Sequence, residues 1–382
     1  MHLTGQRRAL VLQYPSVGRS RLFGLESTVI YPRQTTLARR ALLRGLALLA
    51  YPVMSAAPSP VSAQSGDAPV PITLPLDDGP HDAYIEWWYF TGHLFTESGE
   101  RYGFEFVVFT GERGGLPGYV SHFAITDNAL NAFSYDQRLA FVTPATTVGF
   151  SDGFDLIVGS WSMKGSGGRD ALQASMDGYA IDLIVEAMKP PALHDGDGYI
   201  DYSAGEASYY YSRTRMDVRG ELTTAGGAAA VTGQAWFDHQ WGRFSTFEEG
   251  GWDWFAVQLD DGSDVMLYLI TAPDGSLRVV DGSIVDPDGV LTVLDQGDFT
   301  VESTGSWTSE RTGISYPSGW NVQAPGAELI LEITPSLLDQ ELDTRATTGV
   351  IYWEGEVIVE GTRAGDPVAG LGYVELTGYA DR

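Results

Sequence analysis

The chain has 382 residues, with 23 basic against 50 acidic side chains, ten Trp and no Cys. The missing Cys excludes disulfides, thiolate nucleophiles, iron–sulfur clusters and Cys-ligated zinc. The net charge of −27 argues against nucleic acid as a partner, because phosphate binding needs clustered Lys and Arg, and it disfavours docking on an anionic lipid surface.

The charge is unevenly spread. Residues 1–63 hold eight Arg and a single acid, Glu26, so the remainder carries 15 basic against 49 acidic residues, a net of −34. Arg39-Arg40-Ala-Leu-Leu-Arg44 precedes the apolar run Gly45–Ala57, and small residues follow at Ser55-Ala56-Ala57 and Val61-Ser62-Ala63. A basic start, a short apolar run and a small-residue end make residues 1–63 a secretory signal peptide with an upstream extension. The Arg pair permits a twin-arginine route. The run falls short of the ~20 residues a membrane helix needs. We therefore expect a periplasmic or secreted protein without a stable membrane span.

From residue 70 onward, short β-branched and aromatic runs alternate with Gly, Asp and Asn turns. Examples are Tyr102–Phe109, Ala180–Val185, Val265–Ile270 and Glu328–Ile333. The pairs Asp261-Gly262, Asp274-Gly275, Asp281-Gly282 and Asp288-Gly289 read as hairpin turns. No stretch sustains a 3.6-residue period. The predicted fold is all-β, with two tandem antiparallel β-barrels, over residues 64–243 and 244–382. An internal repeat supports the duplication. Trp87-Trp-Tyr-Phe-Thr-Gly-His-Leu94 returns 165 residues later as Trp252-Asp-Trp-Phe-Ala-Val-Gln-Leu259, each followed by a turn and an apolar strand. Closing segments rhyme as well, Thr232–Asp238 with Thr377–Asp381.

Three stretches carry a family resemblance: Pro80-His-Asp-Ala-Tyr-Ile-Glu-Trp-Trp-Tyr-Phe-Thr-Gly-His-Leu94, Ala207-Ser-Tyr-Tyr-Tyr-Ser212 and Gly250-Gly-Trp-Asp-Trp-Phe255. Tyr316–Trp320, Tyr352–Gly355 and Gly372–Tyr379 continue it to the carboxyl end. Together they resemble the AttH/CrtC family of lipocalin-like proteins over roughly residues 70–380. The resemblance implies two lipocalin- or calycin-like barrels with a ligand cavity, in an exported protein. It further implies one of two activities. Carotenoid 1,2-hydratases of the family add water across an isoprenoid double bond without a redox cofactor. Other members are encoded beside ABC-transporter components, which makes a non-catalytic lipophilic-ligand carrier or transport accessory the alternative.

Ala235-Trp-Phe-Asp238-His239-Gln-Trp241-Gly242 is the strongest chemical candidate, placed where the first half runs out towards the second. Hydrating an unactivated alkene needs a strong proton donor, a shielded cation and water. A carboxylic acid in an apolar pocket stays protonated, and Trp or Tyr faces stabilise a cation by ~0.5–2 kcal/mol per contact. Asp238, His239 and Trp241 are therefore the expected catalytic residues. The resemblance supports His239 and Trp241, since the hydratases carry a similar Asp-His-x-Trp stretch. Trp87, Trp88, Tyr89, Trp252, Asp253 and Trp254 are the expected ligand-binding residues, with Asp253 as an alternative acid. The competing assignment makes Asp238 a turn cap, His239 a structural hydrogen-bonder and the Trp residues barrel plugs. An unpaired buried carboxylate is costly, so Glu86 and Asp253 should find an Arg or a backbone N–H.

Weaker signals add little. Gly149-Phe-Ser151-Asp-Gly153 fits the nucleophile-elbow pattern formally, but its β-like flanks do not. Asp195, Asp197 and Asp201 lack the glycine and glutamate of an EF-hand loop. The histidines show no metal-ligand spacing, so neither a metal nor a cofactor is expected. The expected partner is an apolar, isoprenoid- or lipid-like small molecule.

Overall fold

In the computed structural model, residues 69–380 are described except 114–115, 142–151, 204, 245–249, 273 and 275. The signal-peptide segment and most of the Gly149–Gly153 motif lie outside them. Helical structure among the described residues is limited to three single-turn 3₁₀ segments. Everything else regular is antiparallel strand, as the short β-branched and aromatic runs require.

Two large sheets account for nearly all of it. The first runs through Ala132–Phe141, Leu116–Asp127, Arg101–Arg113, Ile85–Thr96, Gly227–Arg243, Glu206–Thr224, Tyr179–Ala187, Arg169–Met176, Trp161–Ser166 and Phe154–Val158. Its two edge strands come back into contact, so it is a nearly closed barrel. The second runs through Leu291–Leu294, Leu277–Val285, Asp264–Thr271, Gly251–Leu259, Asp366–Leu376, Ile351–Arg363, Leu329–Pro335, Trp320–Ala324 and Thr300–Ser303. The repeated Trp-rich segments take equivalent places. Ile85–Thr96 and Gly251–Leu259 each pair with the following hairpin strand on one side and with the last strand of their own sheet on the other. The rhyme at 377–381 is displaced, however, because the closing strand of the second sheet ends at Leu376. Thr377 instead bonds the backbone of Trp252, and Gly378 turns the chain away at a φ of 74°.

Each sheet encloses its own apolar core. Trp88, Phe104, Phe106, Phe123, Trp161 and Phe237 fill the first. Phe255, Trp320, Leu331, Trp353 and Val357 fill the second. Successive strand residues point to opposite faces, so the residues between these inward ones form an outer face on each sheet. The two outer faces pack together through a third cluster that includes Tyr89, Val107, Tyr210, Trp236, Trp254 and Tyr373. Polar ties cross the same seam. Gln258 donates to the carbonyls of Thr214 and Ala235 at 2.7 and 2.9 Å, and Asp264 receives Arg215 and Lys189 at 2.7 Å each. Gly103 permits the close approach there, since a Cβ would lie 2.4 Å from the Tyr373 hydroxyl.

One predicted turn is not a turn. Asp281-Gly282 lies inside the strand Leu277–Val285, where Gly282 pairs with Leu267 and Leu294. A Cβ at Gly282 would meet Leu267 at 2.6 Å, so glycine here makes room for a neighbouring strand's side chain rather than for a bend. Asp288-Gly289 does turn, with the Gly289 N–H donating to the Asp286 carbonyl at 3.0 Å.

Candidate active site

Between the two outer faces lies a narrow cleft with a cavity volume of about 70 Å³. The repeat builds two of its walls. Trp87 and Tyr89 from the first sheet face Trp252 and Trp254 from the second, and the Tyr89 and Trp254 rings meet edge-on at 5.3 Å. Phe109, Tyr202, Tyr210 and Ile270 extend the apolar lining. Three carboxylic acids open into this surface: Asp238, Glu105 and Glu375.

Asp238 is held from three sides. Tyr210 donates to it at 2.5 Å, Trp236 donates its indole N–H at 2.6 Å, and Ser212 donates to the same oxygen as Trp236. Behind this first set stands a chain of donors. Trp254 donates to Tyr210 at 3.1 Å, and the His194 ring reaches Ser212 at 2.6 Å. Burial drops the His194 pKa to about 3 and keeps that ring neutral. With Ser212 giving its only proton to Asp238, the His194 Nε2–H is the donor in that contact. Burial raises Asp238 to about 6, against the pull of its three donors, so it is mainly ionised at neutral pH.

Glu105 is different. It sits on Arg101–Arg113 among aromatic and aliphatic side chains, and burial lifts it to about 8, helped by the charge of Glu375. Tyr352 donates to its Oε1 at 3.0 Å, backed by the His122 ring at 2.8 Å. Its Oε2 has no hydrogen-bond partner among the described residues. Glu375 is raised to about 7 by burial and accepts the Trp252 indole N–H at 2.8 Å. Behind the lining, Glu354 is pushed well above the carboxylate range by burial and by Glu375 and Glu105, and Tyr89 donates to it at 2.6 Å. The site therefore juxtaposes an ionised Asp238 with Glu105 and Glu354, which burial keeps protonated, an arrangement suited to paired acid–base work.

The predicted site residues divide between this cleft and the barrels. Asp238, Trp87, Tyr89, Trp252 and Trp254 all line the cleft. Asp238 accepts buried hydrogen bonds in mid-strand and caps no turn. His239 and Trp241 do not line the cleft. They are odd-numbered neighbours of Asp238 on one strand, so the pleat turns them to the first barrel's interior. There His239 pairs across the ladder with Trp88, while Asp238 pairs with Tyr89. Trp88 likewise points inward, stacks on His239 at 4.7 Å, and donates to the Asp78 carbonyl at 2.9 Å. Among the predicted ligand-binding residues, only Trp88 fits the plug assignment. Asp253 is also outside the cleft lining and accepts the Tyr379 hydroxyl at 2.8 Å.

Of the Arg or backbone N–H expected for Glu86, the structure supplies the backbone N–H of His81, and two histidine rings in place of an Arg. His81 and His239 reach its Oε1 at 2.8 and 2.9 Å, and the His81 backbone N–H donates to its Oε2 at 3.0 Å. Burial alone would raise Glu86, but these two rings hold it below the usual value. Sequence spacing could not reveal this grouping.

Fold and site together define a class: an all-β, lipocalin-like double sheet with buried acids in an aromatic cleft. The AttH-like family model matches residues 65–379, and the chain belongs to that family. A crystal structure of an AttH protein from Nitrosomonas europaea is 32% identical, covers 81% of this chain and 98% of its own, and superposes with a TM-score of 0.74. Kievitone hydratase from Nectria haematococca has the same fold at 17% identity, covering 81% and 93%, with a TM-score of 0.66. CghA follows at 13% identity, 84% and 96% coverage, and a TM-score of 0.54. No curated protein sequence matches the chain.

Proposed function

We propose that this protein is an exported hydro-lyase that adds water across a C=C bond of an apolar, isoprenoid-like ligand held in the cleft, without a redox cofactor. The observation that carries this reading is Glu105, a buried carboxyl raised to about 8 with one oxygen unpartnered among the described residues, lining the same cleft as an Asp238 that ionises at about 6. Glu105 gives its proton to one alkene carbon. The cation that forms on the other carbon lies among Trp87, Tyr89, Trp252 and Trp254, whose ring faces favour it by ~0.5–2 kcal/mol each. Water adds to that carbon and passes a proton to Asp238, and a solvent proton exchange restores both acids. The fold shared with a protein named a hydratase supports the reaction class. Export rests on the signal-like pattern of residues 1–63, and N-terminal sequencing of the mature protein tests it.

The experiment is incubation with acyclic carotenoids such as lycopene or neurosporene, comparing the wild type with Glu105→Gln and Asp238→Asn. Hydrated product from the wild type and none from either variant supports the reading. Ligand binding by all three with product from none would leave a carrier in its place.

A further inference from the structure

On the opposite face of the strand that carries Asp238, three donor atoms converge. His81 Nδ1 and His239 Nε2 lie 2.8 and 2.9 Å from Glu86 Oε1, and all three atoms fall within 4.8 Å of one another. We propose that His81, Glu86 and His239 form a binding site for a divalent transition-metal ion of the zinc, cobalt or iron(II) class.

The spacing fits. Metal–ligand bonds of ~2.0–2.2 Å set neighbouring donors ~3.0 Å apart at octahedral angles and ~3.4 Å apart at tetrahedral ones, so the contacts of 2.8 and 2.9 Å to Glu86 need to widen only slightly to seat an ion. Two imidazoles and one carboxylate suit these borderline ions better than calcium or magnesium, which prefer all-oxygen sites. Three protein donors also leave coordination positions for water or a small ligand.

A second, independent observation concerns the nitrogens that face away. A metal-bound histidine nearly always donates its other ring N–H to an outer partner, which fixes its tautomer. His81 Nε2 points at Asp77 Oδ1 at 3.4 Å, and His239 Nδ1 points at the Tyr211 hydroxyl at 3.4 Å. Both outer partners are therefore already present. The rings are also fixed in orientation. His81 stacks on Trp241 at 4.0 Å with the planes 1° apart, and Trp88 stacks on His239. A site so built needs little reorganisation when the ion enters. His81 keeps 22% of its side chain exposed, which gives the ion a way in.

The test is titration of the full chain, stripped with a chelator, with Co²⁺ and Zn²⁺, read by calorimetry and by Co²⁺ visible absorption. We expect one ion per chain, imidazole-type Co²⁺ bands displaced by Zn²⁺, and no competition from Ca²⁺. His81→Ala removes a partly exposed side chain, so the fold should survive, as circular dichroism would verify. It should weaken binding by more than ~10–100-fold. Glu86→Gln should do the same where it folds. Failure of the wild type to bind either ion at micromolar concentration overturns the proposal, and so does His81→Ala binding as well as the wild type. Neither readout depends on hydration activity, so this proposal and the assignment of the cleft fail separately.

Discussion

The barrel interiors and the seam between the barrels are built from the same strands, yet they do opposite things. The first interior is closely filled with Trp88, Phe104, Phe106 and Trp161 and leaves its chemistry to the His81–Glu86–His239 group. The seam is also buried, but it holds Asp238, Glu105, Glu354 and Glu375 among aromatic rings. A single closed barrel has only its interior to keep dry. Packing two barrels face to face creates a second dry region, and its acids shift upward because both sheets exclude water from it.

Conservative substitutions at neighbouring residues should separate the regions most sharply. Glu105→Gln and Asp238→Asn are expected to lower turnover by ~10²–10⁴-fold, the range for loss of a general acid or base, with ligand binding retained. His239→Gln, one residue away but facing inward, should lower stability and metal binding while the folded protein keeps turnover within about threefold. Equal collapse of turnover in all three would erase the distinction.

A smaller contrast lies in the Trp pair. Trp88→Ala opens a cavity in the first core and should cost about 3–5 kcal/mol in urea unfolding. Trp87→Ala, half-buried at the cleft, should cost about 1 kcal/mol or less and act mainly on ligand affinity. Reversal of that order would put the plug in the seam.

The pH dependence refines the assignment within the seam. Activity needs Asp238 ionised and Glu105 protonated, so the profile should rise through about 6 and fall through about 8. Glu375→Gln removes a charge that raises Glu105 and should move the alkaline limb to lower pH. An unmoved limb would assign it to another group. The smallest effect is on melting. Glu105 is raised when folded, so its contribution to stability is complete below its ordinary value of 4.5 and is lost as pH rises through about 8. Glu105→Gln should therefore melt a few degrees above the wild type at pH 9 and show no such gain at pH 4.

Much of the fold is legible in the sequence because period-2 strands and the repeated Trp segments reflect local physics. The 165-residue repeat even anticipates the cleft, since Trp87 and Tyr89 face Trp252 and Trp254 across it. The site is harder to read. Asp238, His239 and Trp241 look like one constellation because they are close in sequence, but the pleat sends Asp238 one way and the other two the opposite way. Glu105 and Glu375 go unmarked as acids in apolar strands, although a lone carboxylate in a run such as Phe104-Glu-Phe-Val-Val is itself a signal. His194, His122 and Tyr352 join the site only through tertiary contact, which no spacing rule encodes. The same holds for His81 and His239, which are 158 positions apart and meet on Glu86.

The polar ties across the seam also bear on how the molecule comes apart. Asp264 holds Arg215 of the other sheet and Lys189 of the connection that follows that sheet's strand Tyr179–Ala187, and Gln258 bonds two carbonyls of the same sheet. Separating the sheets would expose the aromatic faces and leave these charges and carbonyls to be rehydrated together. Neither half then has a low-energy folded form of its own. Heating should show one calorimetric transition with equal calorimetric and van't Hoff enthalpies, although the chain contains the same architecture twice.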